Sequence, residues 1–167
     1  MAILPILVYP NPILLKKSRK INDPQSLEIQ ELIFDMLQTM DANDNCLGLA
    51  APQIGKSLRL CIIKLEGKTY IIINPKFKSK SWKKVVFEEG CLSFPGLFIP
   101  VKRSAKVSVK AQDKTGKAYV IKADNLLARA LQHEIDHLDG IPFTKRKAKI
   151  SVMEPLPFGG TDKKIIS

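Results

Sequence analysis

Histidine, with two copies in 167 residues, is scarcer here than any other side chain that serves as acid, base, nucleophile or metal ligand; cysteine occurs three times, and there is one tryptophan. Three cysteines without paired spacing exclude a disulfide-stapled scaffold and point to a reducing compartment. No segment approaches the roughly 18 consecutive apolar residues of a membrane helix. The start, Met1 to Leu7, lacks the basic region and cleavage site of a secretion signal and the Arg/Ser enrichment of a transit peptide. Repeats and linkers are also missing. With 45% hydrophobic residues the chain can bury a core. The expectation is a single cytoplasmic domain over residues 1–167, with a core at about 14–143 and a short irregular tail at 151–167.

What is present is concentrated. Both histidines fall in one pentapeptide, His133-Glu134-Ile135-Asp136-His137. On a helix each residue advances about 100°, so His133 and His137 stand about 40° apart and one turn up, close enough to share one ion. Glu134 is then placed to reach a water on that ion. The context predicts the helix. Asp124 is an N-cap candidate, and Leu127, Leu131, Ile135 and Leu138 form an apolar stripe. Leu126, Ala130, His133 and His137 form a neighbouring one, and Gly140 with Pro142 stops the run.

A catalytic metal site of this kind needs a third protein ligand. The extended motif with a third histidine is excluded by the histidine count, and Glu154 lies in a Pro-rich tail. The thiols remain. Cys61 sits in the apolar run Leu58 to Ile63 and reads as a buried, inert side chain. Cys46 and Cys91 lie in glycine-containing segments from which either can be aimed at a site, and on residue types alone both stay open.

Three segments taken together narrow this. Cys46-Leu47-Gly48-Leu49-Ala50-Ala51-Pro52-Gln53, Glu88-Glu89-Gly90-Cys91-Leu92-Ser93 and Gln132 to Gly140 stand in this order, and they resemble the three signature motifs of the peptide deformylases. The resemblance runs from about Leu14 to Phe143. It implies Cys91, His133 and His137 as ligands of one divalent ion, ferrous iron by preference, with zinc, nickel or cobalt able to substitute. It also implies Glu134 as general acid/base, with the Gln53 side-chain amide and the Leu92 backbone N–H as donors to the formyl oxygen. The implied substrate is the N-formyl-methionyl end of a nascent peptide. Leu47, Gly48, Gly90, Leu126 and Ala130 are the expected pocket residues, the two on the helix sharing the histidines' face. One position departs from the family pattern: Cys46 stands where a glycine is usual. Cysteine there is either strained, if the backbone needs a positive φ, or narrows the substrate rim. Two alternatives from other classes are an H-E-x-x-H zinc metallopeptidase and a zinc-stabilised RNA-binding module.

Periodicity gives the frame. Ile29, Ile33, Met36, Leu37 and Met40 predict a helix over Leu27 to Met40 after Asp23-Pro24. Leu58 to Leu65 and Tyr70 to Ile73 flank Glu66-Gly67-Lys68 as a hairpin. Ala105 to Ala111 alternates as a half-buried strand and turns at Asp113 to Gly116 into Tyr119-Val120-Ile121. The class is α+β, antiparallel sheets packed around a central helix carrying the metal motif.

Charge is the other statement. Lys and Arg number 27 against 16 Asp and Glu, a net +11 with a pI near 9.6. Runs lie at Lys76 to Lys84 and Lys145 to Lys149. No sequence-specific nucleic-acid motif accompanies them, and neither a specific nucleic acid nor a membrane is an expected partner; nonspecific attraction to ribosomal RNA is. A basic C-terminal helix, used by some members of the resembled family, is forbidden here by Glu154 to Gly160, rich in Pro and Gly.

Overall fold

The structure is a computed structural model and describes residues 3–44 and 46–148; the expectations for the tail and for the end of the Lys145 run lie outside the described residues. Helix α1 spans Leu27–Asp41, as its period predicts, with Ile29, Leu32, Ile33, Met36 and Met40 buried on one side. Strand β1 is Gly48–Ala50, followed by a 3-10 turn at Ala51–Ile54. Strands β2 (Leu60–Leu65) and β3 (Lys68–Lys80) form the expected hairpin. Its two-residue loop, Glu66-Gly67, has positive φ at both positions, the conformation that matches strand twist.

Strand β3 runs well past the predicted Ile73. Pro75 would normally end a ladder, but a register shift between Ile73 and Lys76 absorbs it, with Asn74 in the left-handed region. The Asn74 side chain ties that bulge to both backbone groups of Ile21 and to Gln112. Two strands that periodicity left unassigned follow, β4 (Lys84–Cys91) and β5 (Phe94–Ser104). Strands β6 (Lys106–Gln112) and β7 (Ala118–Asp124) form the second predicted hairpin. Its turn is organised by Asp113 Oδ1, which accepts from Thr115 and Lys117.

Five strands make one antiparallel sheet in the order β1-β2-β3-β6-β7, while β4 and β5 make a separate ribbon. Strand β2 explains the layering. Leu60 and Ile62 pack toward α1, Cys61 and Ile63 pack away from it, and all four are fully buried. On that second side lies α2 (Asn125–Leu138), with Leu131, Ile135 and Leu138 against Val107, Val109 and Ile121. Asp124 does occupy the N-cap position, but its side chain makes no capping bond, and Asn125 enters the helix with positive φ. Gly140, at φ 69°, ends the helix region so close to Leu15 that a Cβ would stand 2.7 Å from its carbonyl oxygen. None of the helices of the described residues is long and apolar enough to cross a membrane.

Candidate metal centre

Helix α2 is buried along its whole last two-thirds, including His133, Glu134 and His137. Cys91 arrives from the end of β4, not from a loop: β4 and β5 join through Leu92-Ser93, and a register irregularity after Gly90 turns the thiol toward the helix. One ligand atom each from Cys91, His133 and His137 lie within 4.8 Å of one another, and Cys91 Sγ stands 3.4 Å from His137 Nε2. Cys46 and Cys61 are not in this cluster.

The donor set fits a divalent ion. Burial pushes both imidazoles below their ordinary range, His137 the further, so they are neutral and able to coordinate. His133 Nδ1 lies 2.9 Å from Glu89 Oε2, and its other nitrogen is buried with no hydrogen-bond partner among the described residues. A buried ring nitrogen left over in this way, beside a thiol and a second imidazole, is what an absent ion would take up.

Around the ligands lies a charged shell that the sequence reading missed. Glu89 is fully buried and accepts from Arg103 Nε (2.7 Å) and Nη2 (2.9 Å) and from Arg129 Nη1 (2.6 Å). Burial alone would raise its carboxyl, but hydrogen bonds from His133 and Arg103 hold it well below the usual carboxylate range. Arg103 also donates to Asp136, which Arg146 reaches from the other side. One signal was available: Glu89 stands two residues before Cys91, so on a strand both face the same way. Aromatic rings close the far side, with Phe143 5.6 Å from His133 and 5.2 Å from Phe94.

The other named residues fall as follows. Gln53 is fully buried. Its Oε1 accepts from the Ala50 backbone N–H (2.9 Å), which turns the NH2 toward Ser93 Oγ (3.2 Å) and Cys91 Sγ (3.7 Å). Leu92 follows Cys91 in the β4–β5 connection and, with Asn43 and Phe98, lines a cavity of 330 Å³. A Cβ on Gly48 would stand 2.3 Å from Glu134 Oε1, so any other residue here would have to displace the carboxylate. Gly90 is buried on β4 opposite Phe98. Leu126 lines an apolar cavity of 290 Å³ with Val85, Phe87 and Arg129. Ala130 packs into the core, and Leu47 is half-buried against the same cluster.

Cys46 lies beside β1, outside the ligand cluster. Its Sγ donates to the Gly48 carbonyl (3.1 Å), and burial, with the field of Glu134, pushes its pKa up to about 12. Cys61, fully buried, is raised well above the ordinary thiol value and is inert, as its apolar run implies.

Antiparallel sheets around a buried H-E-x-x-H helix, with a thiol as third donor, define a metal-dependent hydrolase. The profile of the polypeptide deformylase family matches residues 3–152, and the chain belongs to that family. It is 45% identical over 146 residues to the peptide deformylase of Thermodesulfovibrio yellowstonii, covering 84% of this chain and 87% of that protein. It is 43% identical over 149 residues to peptide deformylase 1 of Bacillus cereus, covering 87% and 93%. Among solved structures, the peptide deformylase of Thermotoga maritima superposes with a TM-score of 0.85 at 32% identity, covering 89% of this chain and 99% of that one. The Synechococcus elongatus enzyme in complex with actinonin gives 0.83 at 36% identity, covering 87% and 79%. These likenesses do not favour the metallopeptidase alternative.

Proposed function

We propose that this protein removes the N-terminal formyl group from formyl-methionine of newly synthesised chains, releasing formate. The observation that carries the proposal is the convergence of Cys91, His133 and His137 around one point, with Glu134 on the same helix turn and the Gln53 amide directed at Cys91. Cys91, His133 and His137 hold one divalent ion, Fe2+ as the working metal, with Zn2+, Ni2+ or Co2+ able to take its place. When bound, such an ion polarises the formyl carbonyl and acidifies water.

The chain's own residues do the rest. Glu134 takes the proton of the attacking water and returns it to the leaving amine, a transfer that Gly48 permits by leaving the carboxylate room. The Gln53 NH2 and the Leu92 N–H donate to the formyl oxygen as it gains negative charge, each worth roughly 3 kcal/mol in comparable acyl-transfer sites. Glu89 accepts from His133 Nδ1 and so fixes the tautomer and ring orientation of that ligand. Leu126 and its cavity, lined also by Val85, Phe87 and Arg129, receive the methionine side chain. Leu47, Gly48, Gly90 and Ala130 do not line that cavity and are pocket residues only by the family resemblance. Residues 1–167 act as one catalytic domain in the cytoplasm, where the basic surface draws the enzyme toward ribosomal RNA and the chains emerging there.

Anaerobic purification, metal analysis and formyl-Met-Ala hydrolysis on one sample test this. About one iron per chain with stoichiometric formate release is the expected result. Cleavage of the Met-Ala bond, or formate release unaffected by chelation, would overturn it.

A further inference from the structure

The lysine run at the end of β3 acquires a shape in the fold. Strand β6 turns Val107, Val109 and Ala111 into the core and Lys106, Ser108 and Lys110 outward. Strand β7 does likewise with Ile121 and Ala123 inside and Lys122 outside. Ser79, Ser108 and Lys122 lie abreast across three strands, and Lys78 stands at a register shift between Phe77 and Ser79. These residues floor and rim a shallow groove of 770 Å³ lined by Lys78, Lys80, Lys106 and Lys122, with Asp124 its one carboxylate. Lys80 rests over the Phe77 ring. Among the described residues, no carboxylate lies within ion-pair distance of Lys78, Lys106 or Lys122.

At one end of this groove stands the chain's single tryptophan. Trp82 is 98% exposed, which no folding term explains, since an indole gains by burial. The backbone that presents it is held: the preceding Ser81 donates its N–H to the Lys106 carbonyl and accepts the Lys106 N–H on its hydroxyl. A run of lysines on a strand is by default a solvated face. A concave row of unpaired lysines ending in an uncovered indole on a hydrogen-bonded backbone has the two parts of a single-strand platform, cations for phosphates and a π-face for a base. Insertion into a lipid surface fits less well, because the chain neighbours of the indole, Ser81 and Lys83, are polar, and the exposed apolar residues Val85, Val86 and Phe87 lie on β4, outside the groove lining.

We infer that the groove across β3, β6 and β7, with Trp82 at its end, binds single-stranded RNA without sequence preference. This rests on the reading of the basic surface as RNA-directed and gives that attraction a place. The test is titration of the metal-loaded enzyme with an unstructured RNA of about 12 nucleotides, followed by Trp82 emission and by fluorescence anisotropy over a salt series. RNA should quench Trp82, and Trp82→Ala should weaken binding about tenfold. The combined Lys78→Ala, Lys106→Ala and Lys122→Ala variant should reduce the slope of log K against log salt by about 2. Formyl-Met-Ala hydrolysis should be unchanged in both, which also reports that they fold. If wild type binds RNA but either variant matches it, the groove is wrong while the broader attraction stands. If wild type does not bind RNA at low salt, both fall. A blue shift of Trp82 on phosphatidylglycerol vesicles with no response to RNA would give the groove to a membrane and overturn the inference.

Discussion

The two sides of α2 are both buried and are built on opposite principles. Toward the five-stranded sheet, Leu131, Ile135 and Leu138 meet Val107, Val109 and Ile121 in an apolar interface where shape is the main requirement. Toward the β4–β5 ribbon, Arg129, Gln132, His133 and Asp136 meet Glu89, Val101, Arg103 and Ser104 through hydrogen bonds of 2.6 to 3.1 Å. The first side fixes where the helix lies. The second fixes the direction in which one imidazole points, which apolar packing cannot do because it has no angular preference. A metal ligand therefore gains from a polar wall even where that wall is costly to desolvate.

The largest expected effect isolates the chemistry from both walls. Glu134→Gln keeps every ligand and every wall contact described above, so metal should remain stoichiometric while kcat falls by roughly 10²- to 10⁴-fold. Near-normal turnover with retained metal would remove Glu134 from its role. Next comes the ribbon-side ligand. Cys91→Ser should bind metal weakly, because an alcohol is a poor soft donor, whereas Cys46→Ser and Cys61→Ala should bind it as wild type does. Metal lost with Cys46 instead would reassign the third ligand.

The walls can then be set against each other directly. Glu89→Ala leaves Arg129 without a carboxylate partner and Arg103 with Asp136 alone, and should destabilise by about 3–5 kcal/mol and weaken metal binding by roughly 10- to 100-fold. Leu131→Ala should destabilise by a similar amount, roughly 2–5 kcal/mol, through a cavity, with metal affinity unchanged once folded protein is compared. Denaturant melts paired with metal titrations separate the two, and equal metal losses would erase the distinction between the walls. The smallest effect concerns the substrate. Leu126→Trp should fill the 290 Å³ cavity and raise KM for formyl-Met peptides several-fold, while formyl-Gly peptides and metal content change little. Equal loss for both substrates would move the methionine pocket elsewhere.

The apolar wall was legible in the sequence, because its residues recur at helical spacing and each hydrophobic side chain has one obvious place to go. The two histidines were legible too, since the spacing of His133 and His137 is itself the geometry, whereas Cys91 was separated from Cys46 only by the family resemblance. The ionic wall was not. Nothing in the spacing of Arg129, Asp136 and Arg103 pairs them, and only the ribbon, two strands that periodicity left unassigned, brings Arg103 and Arg129 to Glu89 and Arg103 to Asp136. The extent of β3 was hidden by Pro75, which is tolerated because a bulge removes the ladder bond it could not make.

The scarcity of histidine has a use at the bench. Since both imidazoles of the chain lie in the centre, the histidine side-chain region of an NMR spectrum contains the site and nothing else. The two rings should also be told apart without mutation. The His133 Nδ1 proton, held by Glu89 away from solvent, should exchange slowly and resonate far downfield, whereas His137 has no comparable carboxylate partner among the described residues. The state of the centre, empty, loaded or oxidised, could then be followed in the intact enzyme from two nitrogen pairs.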